Sequence, residues 1–103
     1  MTNKQNANRE LKALEILGCM VFNMSSNKYM PTGMKGFPDH LIVCKNGCMF
    51  FIEDKFGSDK LSSVQVNVRE VIDKCATNNP MIFYYINTGT IQHIITDIVN
   101  RIA

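Results

Sequence analysis

The sequence has no run of eighteen apolar residues, which excludes a transmembrane helix. Its first ten residues, from Met1 to Glu10, lack the apolar core of a secretion signal. Four cysteines are present, Cys19, Cys44, Cys48 and Cys75, but no Cys-x-x-Cys pair and no Cys/His cluster with structural zinc spacing. They are therefore expected to be reduced core residues of a cytoplasmic protein. Helix-turn-helix, zinc-finger and stacking-aromatic motifs are missing as well. The net charge of +2 is too small to argue for nucleic-acid binding by itself. Repeats, linkers and low-complexity segments are also absent. With 46% hydrophobic residues among 103, the chain is long enough for one core, so residues 1–103 are expected to form a single domain.

Periodicity supplies the elements. Ala7, Leu11, Leu14 and Leu17 recur at helical spacing, predicting a helix from about Lys4 to Leu17 that stops at Gly18. Cys19 to Met24 reads as a short strand, and Ser25 to Phe37, with its glycines and proline, as a loop. Asp39 to Cys44 and Cys48 to Lys55 read as a hairpin about Lys45-Asn46-Gly47. Both faces of both strands are apolar, which predicts a central pair covered on each side. Leu61 to Cys75 is expected to be a helix with Val64, Val68, Val71, Ile72 and Cys75 on its inner face. Ser62 and Gln65 match a capping box at its start. Met81 to Ile86 is a buried strand by its continuous apolar run. Thr90 to Ile102 is a helix whose inner stripe is Ile91, Ile94, Ile95, Ile98, Val99 and Ile102. The order α-β-β-β-α-β-α predicts an α/β fold with a mixed sheet flanked by helices.

Chemistry concentrates between Gly36 and Lys55. An acid, Asp39, follows Pro38, and Glu53-Asp54-Lys55 ends the second hairpin strand. Carboxylates beside Phe50, Phe51 and Ile52 are costly to bury, and a divalent cation such as Mg²⁺ or Mn²⁺ relieves that cost. Alternation puts Glu53 and Lys55 on one strand face and Asp54 on the other. A two-residue Asn46-Gly47 turn sets Asp39 opposite Asp54. A three-residue Lys45-Asn46-Gly47 loop sets it opposite Glu53, and a shared metal requires this second register or an equivalent bulge. Asp39, Glu53 and the carbonyl of Asp54 are then the candidate metal ligands, and Lys55 the cation that orients an attacking water and stabilises the transition state.

Gly36-Phe37-Pro38-Asp39, the hairpin, Glu53-Asp54-Lys55 and Ser62-Ser63-Val64-Gln65 together resemble the virus-type replication-repair nuclease (VRR-NUC) branch of the PD-(D/E)xK nuclease superfamily. That branch shows G-x-P-D, two apolar strands ending in E-x-K, then S-x-x-Q opening a helix. The resemblance spans about residues 8 to 100. It implies a restriction-endonuclease-like fold and an Mg²⁺- or Mn²⁺-dependent endonuclease. Small stand-alone members resemble Holliday-junction resolvases and act as homodimers, so branched DNA, a homodimer and the cytoplasm of a bacterial or phage-infected cell are expected. The resemblance also places Gln65 beside the active site and asks for an acid on the first helix, for which Glu10 is the candidate; in some relatives the acid falls where Asn8 or Asn3 stands here. Asp54 departs from the pattern, which has an apolar residue between Glu and Lys. It is expected to be a solvated strand-end acid or a contact to a partner chain.

Other polar residues have plainer readings. His40 lies on the strand face opposite Asp39 and is expected to be structural. His93 belongs to the outer face of the last helix with Asp97 and Arg101. Lys28, Lys35 and Lys60 are loop cations that either contact phosphates or only solubilise. A nicking or restriction-type nuclease on ordinary duplex and a catalytically inactive DNA-binding module remain the alternatives.

Overall fold

The computed structural model describes residues 3–24 and 36–103. Its elements follow the expected order: α1 (Asn3–Lys12), a 3-10 turn (Ala13–Leu17), β1 (Met20–Asn23), β2 (His40–Val43), β3 (Met49–Asp54), α2 (Ser63–Asn78), β4 (Ile82–Asn87) and α3 (Ile91–Ile102). The four strands form one sheet in the order β1-β2-β3-β4. β1, β2 and β3 are antiparallel, whereas β4 runs parallel to β3 because α2 carries the chain back across the sheet. The fold is α/β, a mixed sheet flanked by helices. Among the described residues no helix is long and apolar enough to cross a membrane. The Lys28, Lys35, Met30 and Met34 positions lie outside the described residues.

The hairpin adopts the register that a shared metal requires. His40 pairs with Ile52 and Val43 with Met49, so the loop is the three residues Lys45-Asn46-Gly47. Gly47 takes φ +96°, a left-handed value that other residues enter only with strain, and Asn46 Oδ1 accepts from the Cys48 amide at 3.0 Å. Alternation then divides the sheet. On one face Ile42, Phe50 and Ile52 pack with Ala7, Leu11 and Leu14 of the first helical segment and with Ile91, Ile94 and Ile98 of α3. The other face carries Glu53 and Tyr84, and α2 covers it there.

Two sequence expectations need correction. The inner face of α2 is not the valine stripe: Val64 and Val71 are exposed, as is Cys75, while Gln65, Val68, Arg69 and Ile72 turn inward. The helix is rotated because Gln65 and Arg69 find partners on the sheet, as described below. Cys75 is thus not a core thiol. Cys19, Cys44 and Cys48 are buried; Cys44 Sγ lies 3.1 Å from Cys19 Sγ, and burial pushes the Cys44 thiol up to about 12. On the outer face of α3, Asp97 Oδ2 accepts from Tyr85 Oη and from Arg101 Nε, and Arg101 stacks on Phe83 with its guanidinium 4.1 Å from the ring centroid.

Candidate active site

Asp39 reaches the site because Gly36-Phe37-Pro38 delivers it to the start of β2 in a fixed pose. Pro38 is fully buried, and the Phe37 ring packs edge-on against Phe51 of β3, 5.9 Å between centroids. The Asp39 carbonyl accepts from the Met24 amide at 2.7 Å, which anchors it to the end of β1. Its carboxylate Oδ2 accepts from the Asp54 amide at 2.8 Å. Glu53 is the penultimate residue of β3 and only 1% exposed.

Gln65 both caps α2 and contacts Glu53. Its side-chain Oε1 accepts from the Ser62 backbone amide at 2.8 Å and its backbone N–H donates to Ser62 Oγ at 3.2 Å, closing the capping box of α2. Its Nε2 donates to Glu53 Oε1 at 2.8 Å. One side chain therefore starts the helix and fixes the rotamer of the buried acid. Next to it, Arg69 lies over the Tyr84 ring, 5.3 Å from its centroid. Burial and then the charge of Glu53 push the Tyr84 phenol up to about 12.

The two carboxylates are in each other's field. Burial, followed by the charge of Asp39, raises Glu53 to about 8, while Lys55 works the other way. Glu53 Oε2 is buried and has no hydrogen-bond partner among the described residues. An orphaned, desolvated carboxylate oxygen beside a second carboxylate is an arrangement that a divalent cation stabilises. Among the described residues no three His, Cys, Asp or Glu side chains gather into a ready cation cage. Two carboxylates plus the Asp54 carbonyl suit Mg²⁺ or Mn²⁺, which keep water and phosphate in their remaining positions, better than structural zinc.

The structure thus gathers Asp39, Glu53, Gln65 and the Lys55 charge at one end of β3. It does not bring in Glu10. That residue is on α1, across the sheet from α2, with its carboxylate 3.5 Å from Arg9; among the described residues no bond joins it to the other four. Asn8 Oδ1 is buried without a partner among the described residues, and Lys60 is exposed. Asp54 is neither a solvated acid nor a surface contact. Its side chain is buried on the opposite face, bonded to His40 and Asn87. Asn87 had no signal in the sequence, because one asparagine at a strand end reads as a turn residue.

The raised Glu53 carries a pH consequence. In the metal-free protein the acid holds its proton up to about pH 8, and a cation must displace it. Affinity for Mn²⁺ should therefore rise by about tenfold per pH unit below that value and level off above it. Without metal the sign reverses for stability: the penalty for ionising buried Glu53 is absent below its ordinary range near 4.5 and grows as pH rises toward 8. Calorimetric titrations with Mn²⁺ across pH 6 to 9 check this, and a pH-independent affinity would show that Glu53 is not the ligand.

Among solved structures the chain is similar to one described as a VRR_NUC domain, with a TM-score of 0.64, 19% identity, and coverage of 93% of this chain and 97% of that one. No protein-family profile matches the sequence, and no curated protein matches it. The chain shares the restriction-endonuclease-like α/β fold of that domain over nearly its whole length.

Proposed function

We propose that the protein is a metal-dependent endodeoxyribonuclease that hydrolyses phosphodiester bonds in branched DNA. The observation that carries this reading is Asp39 beside Glu53 on one sheet face, with Glu53 Oε2 buried and unpartnered among the described residues, in the field of Lys55. The similarity in fold to a VRR_NUC domain supports it. Asp39, Glu53 and the Asp54 carbonyl would hold the cation, Mg²⁺ or Mn²⁺, which when bound would polarise the phosphate and acidify a water. Lys55 would orient the attacking water and offset the charge gained as the water oxygen bonds to phosphorus and the bond to the leaving sugar oxygen breaks. Gln65 holds Glu53 in place throughout. A binding module without catalysis is disfavoured, since it has no need for a buried acid beside a second, half-buried one that repels it.

The preference for branched DNA rests on size and charge. A chain of 103 residues with net charge +2 offers few phosphate contacts, and duplex affinity depends on their number. A two-fold homodimer doubles the contacts and presents two sites to two strands of a four-way junction. Ile16 and Leu17 of the 3-10 turn and Met20 and Phe22 of β1 form an exposed apolar strip along a sheet edge, with Ile16 89% exposed; a second copy is the occupant this reading requires. Labelled single strand, duplex, flap, fork and four-way junction should be incubated with Mg²⁺ or Mn²⁺. The expected result is paired nicking of the junction, slow cutting of duplex and a dimer by light scattering that Leu17→Glu/Met20→Glu converts to monomer. A wild-type monomer that cuts linear duplex as fast as a junction would leave only the general nuclease reading.

A further inference from the structure

We infer that His40, Asp54 and Asn87 form a buried positioning clamp that sets the geometry of Asp39 and Glu53; this rests on the nuclease reading above. All three are buried, with His40 and Asn87 at 1% exposure and Asp54 at 3%. His40 Nε2 donates to Asp54 Oδ2 at 2.7 Å, and Asn87 Nδ2 donates to Asp54 Oδ1 at 3.0 Å. Asn87 Oδ1 then accepts from the amides of Gly89 and Thr90, both at 3.0 Å, where the chain turns into α3.

The position of this network is what gives it meaning. His40 directly follows Asp39 in the chain, and Asp54 directly follows Glu53. By alternation the clamp lies on the reverse side of the sheet, under the two acids. The β2–β3 ladder ends at the His40–Ile52 pair, so Asp39 and Glu53 stand one step beyond it. Backbone pairing does not fix their separation; the His40–Asp54 bond spans the gap. On the site face the Asp54 amide donates to Asp39 Oδ2 at 2.8 Å. A closed ring results: Asp39 is covalently joined to His40, His40 is bonded to the Asp54 carboxylate, and the Asp54 amide is bonded back to the Asp39 carboxylate. On the other side, Asp54 and Asn87 are the last pair of the parallel β3–β4 register, so the clamp continues to β4 and to α3.

Stability alone does not account for these residues. Ile42, Phe50, Ile52 and Ile91 belong to the core on this face of the sheet, where an apolar pair would be easier to bury than an imidazole and a carboxylate. Hydrogen bonds supply what apolar packing lacks, a defined direction and separation. His40 Nδ1 has no partner among the described residues, so the ring is oriented by its bond to Asp54. Without the clamp, the two strand ends are free to splay and the ligand oxygens lose their common focus.

The test uses the full chain and Mn²⁺ alone, titrated by calorimetry, alongside junction cleavage. His40→Leu strands a buried carboxylate and is the variant most exposed to misfolding, so His40→Leu/Asp54→Leu is the principal one, since it buries no charge. Should it fold poorly by circular dichroism, Asp54→Ser removes the reach to His40 and carries the same expectation. The folded variant should bind Mn²⁺ about tenfold or more weakly, as loss of groups that orient metal ligands does elsewhere. Its kcat should fall at saturating Mn²⁺ while KM for DNA stays within about threefold, because phosphate contacts lie on the other face. His40→Gln, whose amide can donate to Asp54, should recover most of the lost affinity. A folded double variant with wild-type Mn²⁺ affinity and kcat, or one that loses only thermal stability, overturns the clamp. Asp39→Ala run in parallel separates the two ideas: wild-type Mn²⁺ binding in that variant overturns the nuclease reading itself, whereas its loss together with an unaffected double variant overturns the clamp alone.

Discussion

Asp39→Ala and Glu53→Gln should each lower cleavage by about a thousandfold or more, the rate equivalent of the several kcal/mol that a bound metal contributes. Both should lose Mn²⁺ binding in calorimetry, and neither should unfold the protein. Glu53→Gln is the sharper variant. It keeps the oxygen that Gln65 Nε2 donates to and removes the acid whose ionisation burial and Asp39 oppose. Its metal-free thermal midpoint at neutral pH should therefore equal or exceed that of the unchanged protein. Lys55→Ala should behave differently, because its charge lies near the acids without ligating. Cleavage should fall by about a hundredfold or more, as when a single transition-state donor is removed, while Mn²⁺ binds no more weakly. Substantial cleavage by either acid variant would refute the assignment of the site.

Gly36→Ala should damage the protein more than any other glycine substitution near the site. Gly36 has φ +83°, and a Cβ built there falls 2.5 Å from Val64 Cγ1 and 3.0 Å from the Val64 carbonyl carbon and oxygen. The valine methyl could swing away, but the helix backbone cannot. The loop that delivers Asp39 is pressed against the first turn of α2, one residue from Gln65. An added methyl must push the two apart. Left-handed strain of roughly 1–2 kcal/mol and overpacking of roughly 1–3 kcal/mol add to a cost of roughly 2–5 kcal/mol. For a domain of this size that corresponds to a thermal midpoint lower by on the order of 10 °C or more. Activity should fall further than stability explains, since Asp39 and the Gln65–Glu53 pair move relative to each other. Gly57→Ala is the control: Gly57 also has positive φ, +64°, but no atom lies within 4 Å of its Cβ position, so strain acts there without the clash. Equal melting shifts in the two variants would show that the approach to α2 carries no weight.

Much of this arrangement was readable because its causes are local. Two-residue alternation placed Glu53 and Lys55 together and Asp54 opposite. The three-residue loop with Gly47 left Asp39 level with Glu53, and the ladder has that register. Ser62 and Gln65 form the capping box their spacing announces. The isoleucine stripe of α3 is buried at Ile91, Ile94 and Ile98, although Val99, at its margin, stays exposed at 36%. Helix ends shifted only slightly, with the last turn of the first helix tightening to 3-10 before Gly18.

Where the sequence misled, a distant partner decided. A valine on an amphipathic wheel counts as inward, yet α2 turns Gln65 and Arg69 to the sheet because Glu53 and Tyr84 wait there, 12 and 15 positions away in the chain. Asp54 looked like a surface acid because nothing next to it in sequence could satisfy it; His40 and Asn87 do so across two strand pairings. The sequence by itself determined the order of elements, the strand face shared by Glu53 and Lys55 and the capping box of α2, because these follow from periodicity, backbone alternation and short-range caps; it left two hairpin registers open, of which a metal shared by Asp39 and Glu53 required the one the ladder has. Only the tertiary structure decided which helix face meets the site, that Glu53 is desolvated with an oxygen unpartnered among the described residues, and that a buried histidine and aspartate bond to each other behind it, because burial and hydrogen-bond partnership depend on which residues the sheet brings together.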